Sequence, residues 1–265
     1  MLRWLRARRR RKRLAGPFPA AWETILARNV VHDRWLDPAA KRRLRDLVRL
    51  FVAEKRWEGC GGLALDDEIR VTIAARACLL LLGRPAAEDA YRRVRTILVY
   101  PSTVVPPLRR LRPFEVATGP VEAPKPILGE AWPRGPVILV WDAVRRTGRH
   151  PERGHDVVFH EFAHQLDLLD GGADGTPPLA SAAERRRWAE VCSRAFLALR
   201  ARRARGEPGL LDDYGATNEA EFFAVATEIF FDRPVELRGE DRDLYDVLAA
   251  YYGQDPATRV ERGRA

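Results

Sequence analysis

Residues 155–170 read HDVVFHEFAHQLDLLD, and within them His160-Glu161-Phe162-Ala163-His164 has the form H-E-x-x-H. Histidines at this spacing lie on one face of an α-helix, about one turn apart, so both imidazoles can reach a single tetrahedral metal ion. Glu161, beside the first of them, is then placed to take a proton from a water that the metal activates. The flanks fit that reading. Val157 and Val158 precede the pattern, Phe162 and Ala163 fill its middle, Leu166 and Leu168 follow, and no charge other than Glu161 falls between Val157 and Gln165. A helix buried beneath a cleft needs this composition if it is to show the cleft only its ligands. The competing reading is a chance match on an amphipathic helix, with two ordinary histidines.

A catalytic site of this kind needs a third protein ligand. His155 points off the ligand face, His150 falls in the preceding loop and His32 is remote in sequence, so a carboxylate from a separate helix is expected. Residues 218–230, NEAEFFAVATEIF, offer Glu221 and Glu228 on one face of a helix whose other positions, among them Phe222, Phe223, Ala224, Ala226 and Ile229, are mostly apolar. An acid on so apolar a helix needs a partner, and a metal is a sufficient one. Glu221 is read as the ligand and Glu228 as a carboxylate orienting a ligating histidine. Against this stand a capping box formed with Asn218, and a solvated acid at position 228.

The chain has 265 residues, of which 46% are hydrophobic and 31% charged, enough for a substantial core in a globular protein. Its net charge of +9 suggests nucleic acid until it is localised: residues 1–13, MLRWLRARRRRKR, hold eight Lys or Arg and no acid, leaving a nearly neutral body. That start reads as a disordered, solvated arm over residues 1–16, or as a weak contact for anionic lipid or nucleic acid. Cys60, Cys78 and Cys192 are far apart and in no CxxC pair, which agrees with a reducing compartment. No apolar run approaches the ~20 residues of a membrane span, and no secretory h-region follows the basic start. A cytoplasmic location is expected.

Residues 19–59 have helical periodicity in Trp22, Ile25, Leu26 and then Leu44, Leu47, Val48 and Phe51, with Asp37-Pro38 opening the second helix as N-cap and N1. Asp66-Asp67-Glu68 starts a strongly apolar helix reaching residue 82, placed centrally in the core. Residues 94–100 and 135–141 are the clearest strands, with another around 114–117. The second strand leads through a polar loop into the histidine helix, and its edge, if free, could pair with an extended peptide. A long helix over residues 181–205, the Glu221 helix and a last helix over 241–252 follow. The expected fold class is α+β, a mostly helical domain over residues 17–255 with a small sheet, then a polar tail at 256–265.

Three blocks, HEFAHQLDLLDG, YGATNEAEFFAVATEIFF and GEAWPRGPVILVW, together resemble the Mlc titration factor A family of bacterial zinc metallopeptidases. The resemblance extends over most of residues 20–253. It implies a zincin-like core, one zinc ion held by His160, His164 and Glu221, and Glu161 as general base. It also brings Tyr214 into the active site, as a phenol able to hydrogen-bond an oxyanion or leaving group; read by itself Tyr214 is a loop tyrosine beside Gly215. The implied activity is aminopeptidase-like hydrolysis of a peptide substrate. The implied partner is a transcriptional repressor of the Mlc type. The rival function is a zinc-containing regulator that sequesters a transcription factor, with hydrolysis incidental.

Overall fold

In the computed structural model, which describes residues 2–85, 87–102, 129–131 and 135–264, the two apolar runs become the inner strands of a four-stranded sheet. Its strands are β1 (Arg56–Gly59), β2 (Thr96–Tyr100), β3 (Gly129–Ala131) and β4 (Val137–Val140), in the order β1-β2-β4-β3. The first two and β4 are parallel, with Ile97 opposite Val137 and Trp57 opposite Ile97, while β3 runs antiparallel along β4. Ile97, Val99, Val137 and Leu139 are completely buried, as strands covered by helices require. Because β4 is paired on both sides, the sheet edge next to it belongs, among the described residues, to β3. The strand expected around 114–117 lies outside the described residues.

Residues 56–59 carry little strand pattern of their own. They are recruited by β2, through bonds from Arg56 N to Arg95 O at 2.9 Å and from Cys60 N to Val99 O at 2.8 Å.

Twelve helices surround the sheet among the described residues. Those before β2 are α1 (Leu2–Leu14), α2 (Ala20–Asn29), α3 (Pro38–Glu54), α4 (Asp67–Leu79) and α5 (Ala87–Ala90). Asp37 caps α3 by accepting bonds from Ala39 N and Ala40 N, at 2.8 and 2.9 Å, with Pro38 at the first helical position as expected. Every residue of α4 from Val71 to Leu79 is buried, so this helix is the centre of the core, packed by α2, α3 and the histidine helix.

Between β4 and the histidine helix, where the sequence suggested a loop, stands a short helix α6 (Trp141–Thr147). Then come α7 (Val157–Asp167), α8 (Ala182–Ala204), α9 (Glu219–Asp232), α10 (Pro234–Glu240), α11 (Arg242–Tyr252) and α12 (Pro256–Arg264). Aromatic rings line both sides of α7: Phe159 meets Phe231 of α9 with centroids 5.2 Å apart, and Phe162 meets Tyr91, just after α5, at 4.7 Å.

Both chain ends differ from expectation. Residues 2–14 are helical and docked rather than a disordered arm. The Arg10 guanidinium forks onto Glu54, with both N···O distances 2.8 Å, and also reaches Asp89 at 3.0 Å and the Glu88 carbonyl at 2.8 Å. Arg49 supplies donors to the carbonyls of Arg13, Leu14 and Gly16, satisfying backbone oxygens that the end of α1 leaves open. Residues 256–264, expected as a polar tail, are α12, which buries Ala257 and Val260 and is started by Asp255 accepting from Thr258 N at 3.0 Å. Ala257 and Val260 are three apart, a helical stripe too short to stand out among charged neighbours. No helix among the described residues is long and apolar enough to cross a membrane.

Candidate metal centre

His160 and His164 project from α7 and Glu221 from the first turn of α9, and the three meet. His160 Nε2 lies 3.0 Å from Glu221 Oε2 and 3.2 Å from His164 Nε2, which is itself 3.4 Å from Glu221 Oε2. One ligand atom from each falls within 4.8 Å of the others, the arrangement that could hold a metal ion. Their side chains are 14%, 14% and 18% exposed, so the cluster is largely buried among the described residues. Asn218 does cap α9, accepting from Glu221 N at 2.9 Å. The cap uses the backbone of Glu221 and leaves its carboxylate for the histidines, so the two competing sequence readings describe different atoms of one residue.

Glu228, two turns along α9, is buried behind the cluster. Its Oε1 is 2.6 Å from His160 Nδ1, and its Oε2 accepts from Asp156 N at 2.8 Å. Burial raises its pKa, against the opposing influence of His160. Burial would raise that of Glu221 too, but hydrogen bonds and charge from His160 and His164 outweigh it and hold this carboxyl well below the usual range. Burial opposes protonation of His160, yet the Glu228 charge and bonds to Glu221 and Glu228 together raise its pKa well above the ordinary value.

Glu161 sits next to His160 on α7 and is only 4% exposed. Tyr214 comes from a 3₁₀ turn, Asp213–Ala216, whose cap Asp212 accepts from Tyr214 N at 2.8 Å. Its ring centroid is 6.0 Å from that of His160, and the residue is 49% exposed. Partial burial, then the charges of Glu221 and Glu161, push its phenol up to about 12, so it is a hydrogen-bond donor across the neutral range.

Two residues behind the cluster were not singled out from the sequence. Asp156 caps α7, accepting from Val158 N and Phe159 N at 2.9 and 3.2 Å, and thereby fixes the start of the helix that carries the histidines. Its other oxygen pairs with Arg76 at 3.3 Å, both side chains being 1% exposed. Arg76 crosses from α4, donating also to Val144 O at 2.6 Å and Asn29 O at 3.0 Å. Gly148 makes the room: a Cβ there would lie 1.1 Å from Arg76 Nη2. An aspartate directly before an apolar run is a cap signal, and an arginine in a helix apolar on most sides needs a buried partner. Arg76→Ala strands the Asp156 charge and is expected to lower stability by about 3–5 kcal/mol in denaturant unfolding. A loss under 1 kcal/mol would mean that water or another cation replaces the guanidinium.

His32, set aside as a ligand, is buried one layer back, 2.9 Å from Asp232 of α9 and edge-on to Phe159. Burial first, and then the charge of Arg76, push its pKa down to about 3, so it stays neutral. His150 and His155 are on the surface and outside the cluster.

A mostly helical α+β fold whose helix α7 offers the H-E-x-x-H residues toward a carboxylate of a second helix defines the class, a metallopeptidase. The chain belongs to the family described as glucose-regulated metallo-peptidase M90, which it matches over residues 4–253. Among its relatives, an uncharacterized protein of Synechocystis sp. is 36% identical over 91% of this chain and 86% of its own length. The Mlc titration factor A of Serratia proteamaculans is 30% identical, with 93% of this chain and 91% of that protein covered. The Mlc titration factor A of Yersinia pestis is 28% identical, over 86% and 82%. The likeness read from three sequence blocks therefore holds along nearly the whole chain.

Proposed function

We propose that this protein is a zinc-dependent, aminopeptidase-like enzyme, with His160, His164 and Glu221 as metal ligands and Glu161 as general base. The separations of the three donor atoms carry the proposal. Bonds of about 2.0–2.1 Å to a tetrahedral zinc put ligand atoms roughly 3.3–3.4 Å apart, and the observed distances are 3.0, 3.2 and 3.4 Å. Two imidazoles and one carboxylate are also the donor set of zinc sites that keep a position open for chemistry. Glu228 on Nδ1 leaves His160 Nε2 directed at the cluster. When bound, the ion supplies Lewis-acid polarisation of a carbonyl and a lowered pKa for water.

The chain's own groups do the rest. Glu161 accepts the water proton on its carboxylate and returns it to the leaving amine. Tyr214, protonated at neutral pH, donates its hydroxyl to the oxygen that gains charge. The β3 edge, beside α7, receives the substrate as an added strand. Cytoplasmic residence is part of the same reading, supported by the three unpaired thiols of Cys60, Cys78 and Cys192.

A second reading takes its support from the relatives named for titrating Mlc: the protein binds a transcriptional repressor, and hydrolysis is incidental. A buried carboxylate beside the ligands favours catalysis, since a purely structural site has no use for a base. Metal analysis joined to hydrolysis of a panel of amino-acid and peptide amides tests the proposal. The wild type is expected to carry about one zinc per chain and to cleave members of the panel, and His160→Ala to lose both properties. A wild type that neither holds zinc nor cleaves anything after zinc is added would leave the binding reading in its place.

A further inference from the structure

Helix α1 has two faces that its composition alone does not separate. With 3.6 residues per turn, Arg6, Arg10, Arg13 and Leu14 fall on one side, and this side meets the body. Arg10 is forked on Glu54, Arg6 and Asp89 are 3.6 Å apart, Arg13 and Glu54 3.7 Å, and Leu14 is half-buried. Trp4, Leu5, Arg8, Arg9, Arg11 and Lys12 occupy an opposite arc of roughly 160°. All six are exposed, and the four cations of this arc have no ion-pair partner among the described residues. Trp4 and Leu5, 58% and 37% exposed, are two of the four large hydrophobic side chains exposed among the described residues. Arg8 lies over the Trp4 ring, 5.7 Å from its centroid.

We infer that this outward face of α1 docks the enzyme on an anionic lipid surface. A helix with cations flanking an aromatic and an aliphatic side chain suits the headgroup layer: phosphate and carboxylate groups meet the arginines, while the indole and the leucine enter the boundary of the acyl chains. Leucine distinguishes this occupant from nucleic acid, which offers phosphates to the cations and a stacking partner to the indole but nothing apolar for Leu5. The fork of Arg10 holds the helix against the body, so the face is presented ready-made. Each cation brought to such a surface strengthens binding roughly fivefold, so the four together contribute on the order of several hundredfold. The gain shrinks as salt screens the field.

The test is sedimentation of the full-length protein with vesicles of phosphatidylcholine alone, or of phosphatidylcholine with roughly one-third phosphatidylserine. Binding to the anionic vesicles only, falling with added salt, is expected. The combined variant Arg8→Glu, Arg9→Glu, Arg11→Glu and Lys12→Glu should bring sedimentation down to the neutral-vesicle level. Trp4→Ala with Leu5→Ala should weaken binding on the order of tenfold. Circular dichroism and metal content, both unchanged, would show that these variants fold. Equal sedimentation with both vesicle types, none with either, or undiminished binding of the charge-reversal variant would overturn the inference. So would DNA of mixed sequence binding more tightly than the anionic vesicles, which would make nucleic acid the occupant.

Discussion

Glu161→Gln is expected to keep the fold and the zinc and to lose peptide hydrolysis by about 10²–10⁴-fold, the range that a positioned general base contributes. The substitution keeps the shape of a side chain that is 4% exposed on α7, so packing around it need not change. The three donor atoms are all on other residues, and metal content should stay at the wild-type level. What changes is proton affinity: an amide cannot take a proton near neutral pH, whereas the carboxylate can. The measurement is turnover of whichever peptide or amino-acid amide the wild type cleaves best, alongside zinc content and thermal unfolding. Full activity in a zinc-loaded variant would remove Glu161 from the mechanism and make another group the base.

How far the sequence could be read follows from where each signal resides. The histidine helix and the Glu221 helix carry the spacing of their polar residues, and α4 a long apolar run opened by acids, all local properties, so all three are visible before folding. The inner strands β2 and β4 are visible for the same reason, being short β-branched runs between turn residues. β1 is not, because residues 56–59 are a strand only by pairing with β2, and pairing is a relation between distant segments. The docking of α1 was hidden likewise: eight cations in thirteen residues look like a solvated arm unless Glu54, Asp89 and Arg49 are known to stand opposite. In the candidate metal centre, residue types and spacing pointed to His160, His164 and Glu221, which the fold brings together. Asp156, Arg76 and Glu228 each carry a local signal, but nothing local says that they join in one line, since they come from the start of α7, from α4 and from α9.

The two carboxylates of α9 should part company when each is removed. Seven residues separate Glu221 from Glu228, a rise of about 10 Å along the axis, and the imidazole of His160 lies across that interval. Its Nε2 is 3.0 Å from Glu221 and its Nδ1 is 2.6 Å from Glu228, so the carboxylates address opposite edges of one ring and cannot both reach one ion. Glu221→Ala takes away one of three proposed ligands and is expected to purify nearly free of metal. Glu228→Ala removes only the group that orients His160, and loss of such a partner typically weakens affinity or activity ~10–100-fold. That variant should therefore retain zinc at saturating concentrations while turning over more slowly. It should also be less stable, because Asp156 N at the start of α7 loses its acceptor. Glu228→Gln, which keeps the volume and one acceptor oxygen, should recover much of that stability without restoring full zinc affinity, since its amide cannot accept from both His160 and Asp156. Zinc titration against a competing chelator and denaturant unfolding of the three variants separate these effects. If Glu228→Ala came out metal-free while Glu221→Ala kept its zinc, the ligand role would pass to Glu228 and the placement of the ion between His160, His164 and Glu221 would be wrong.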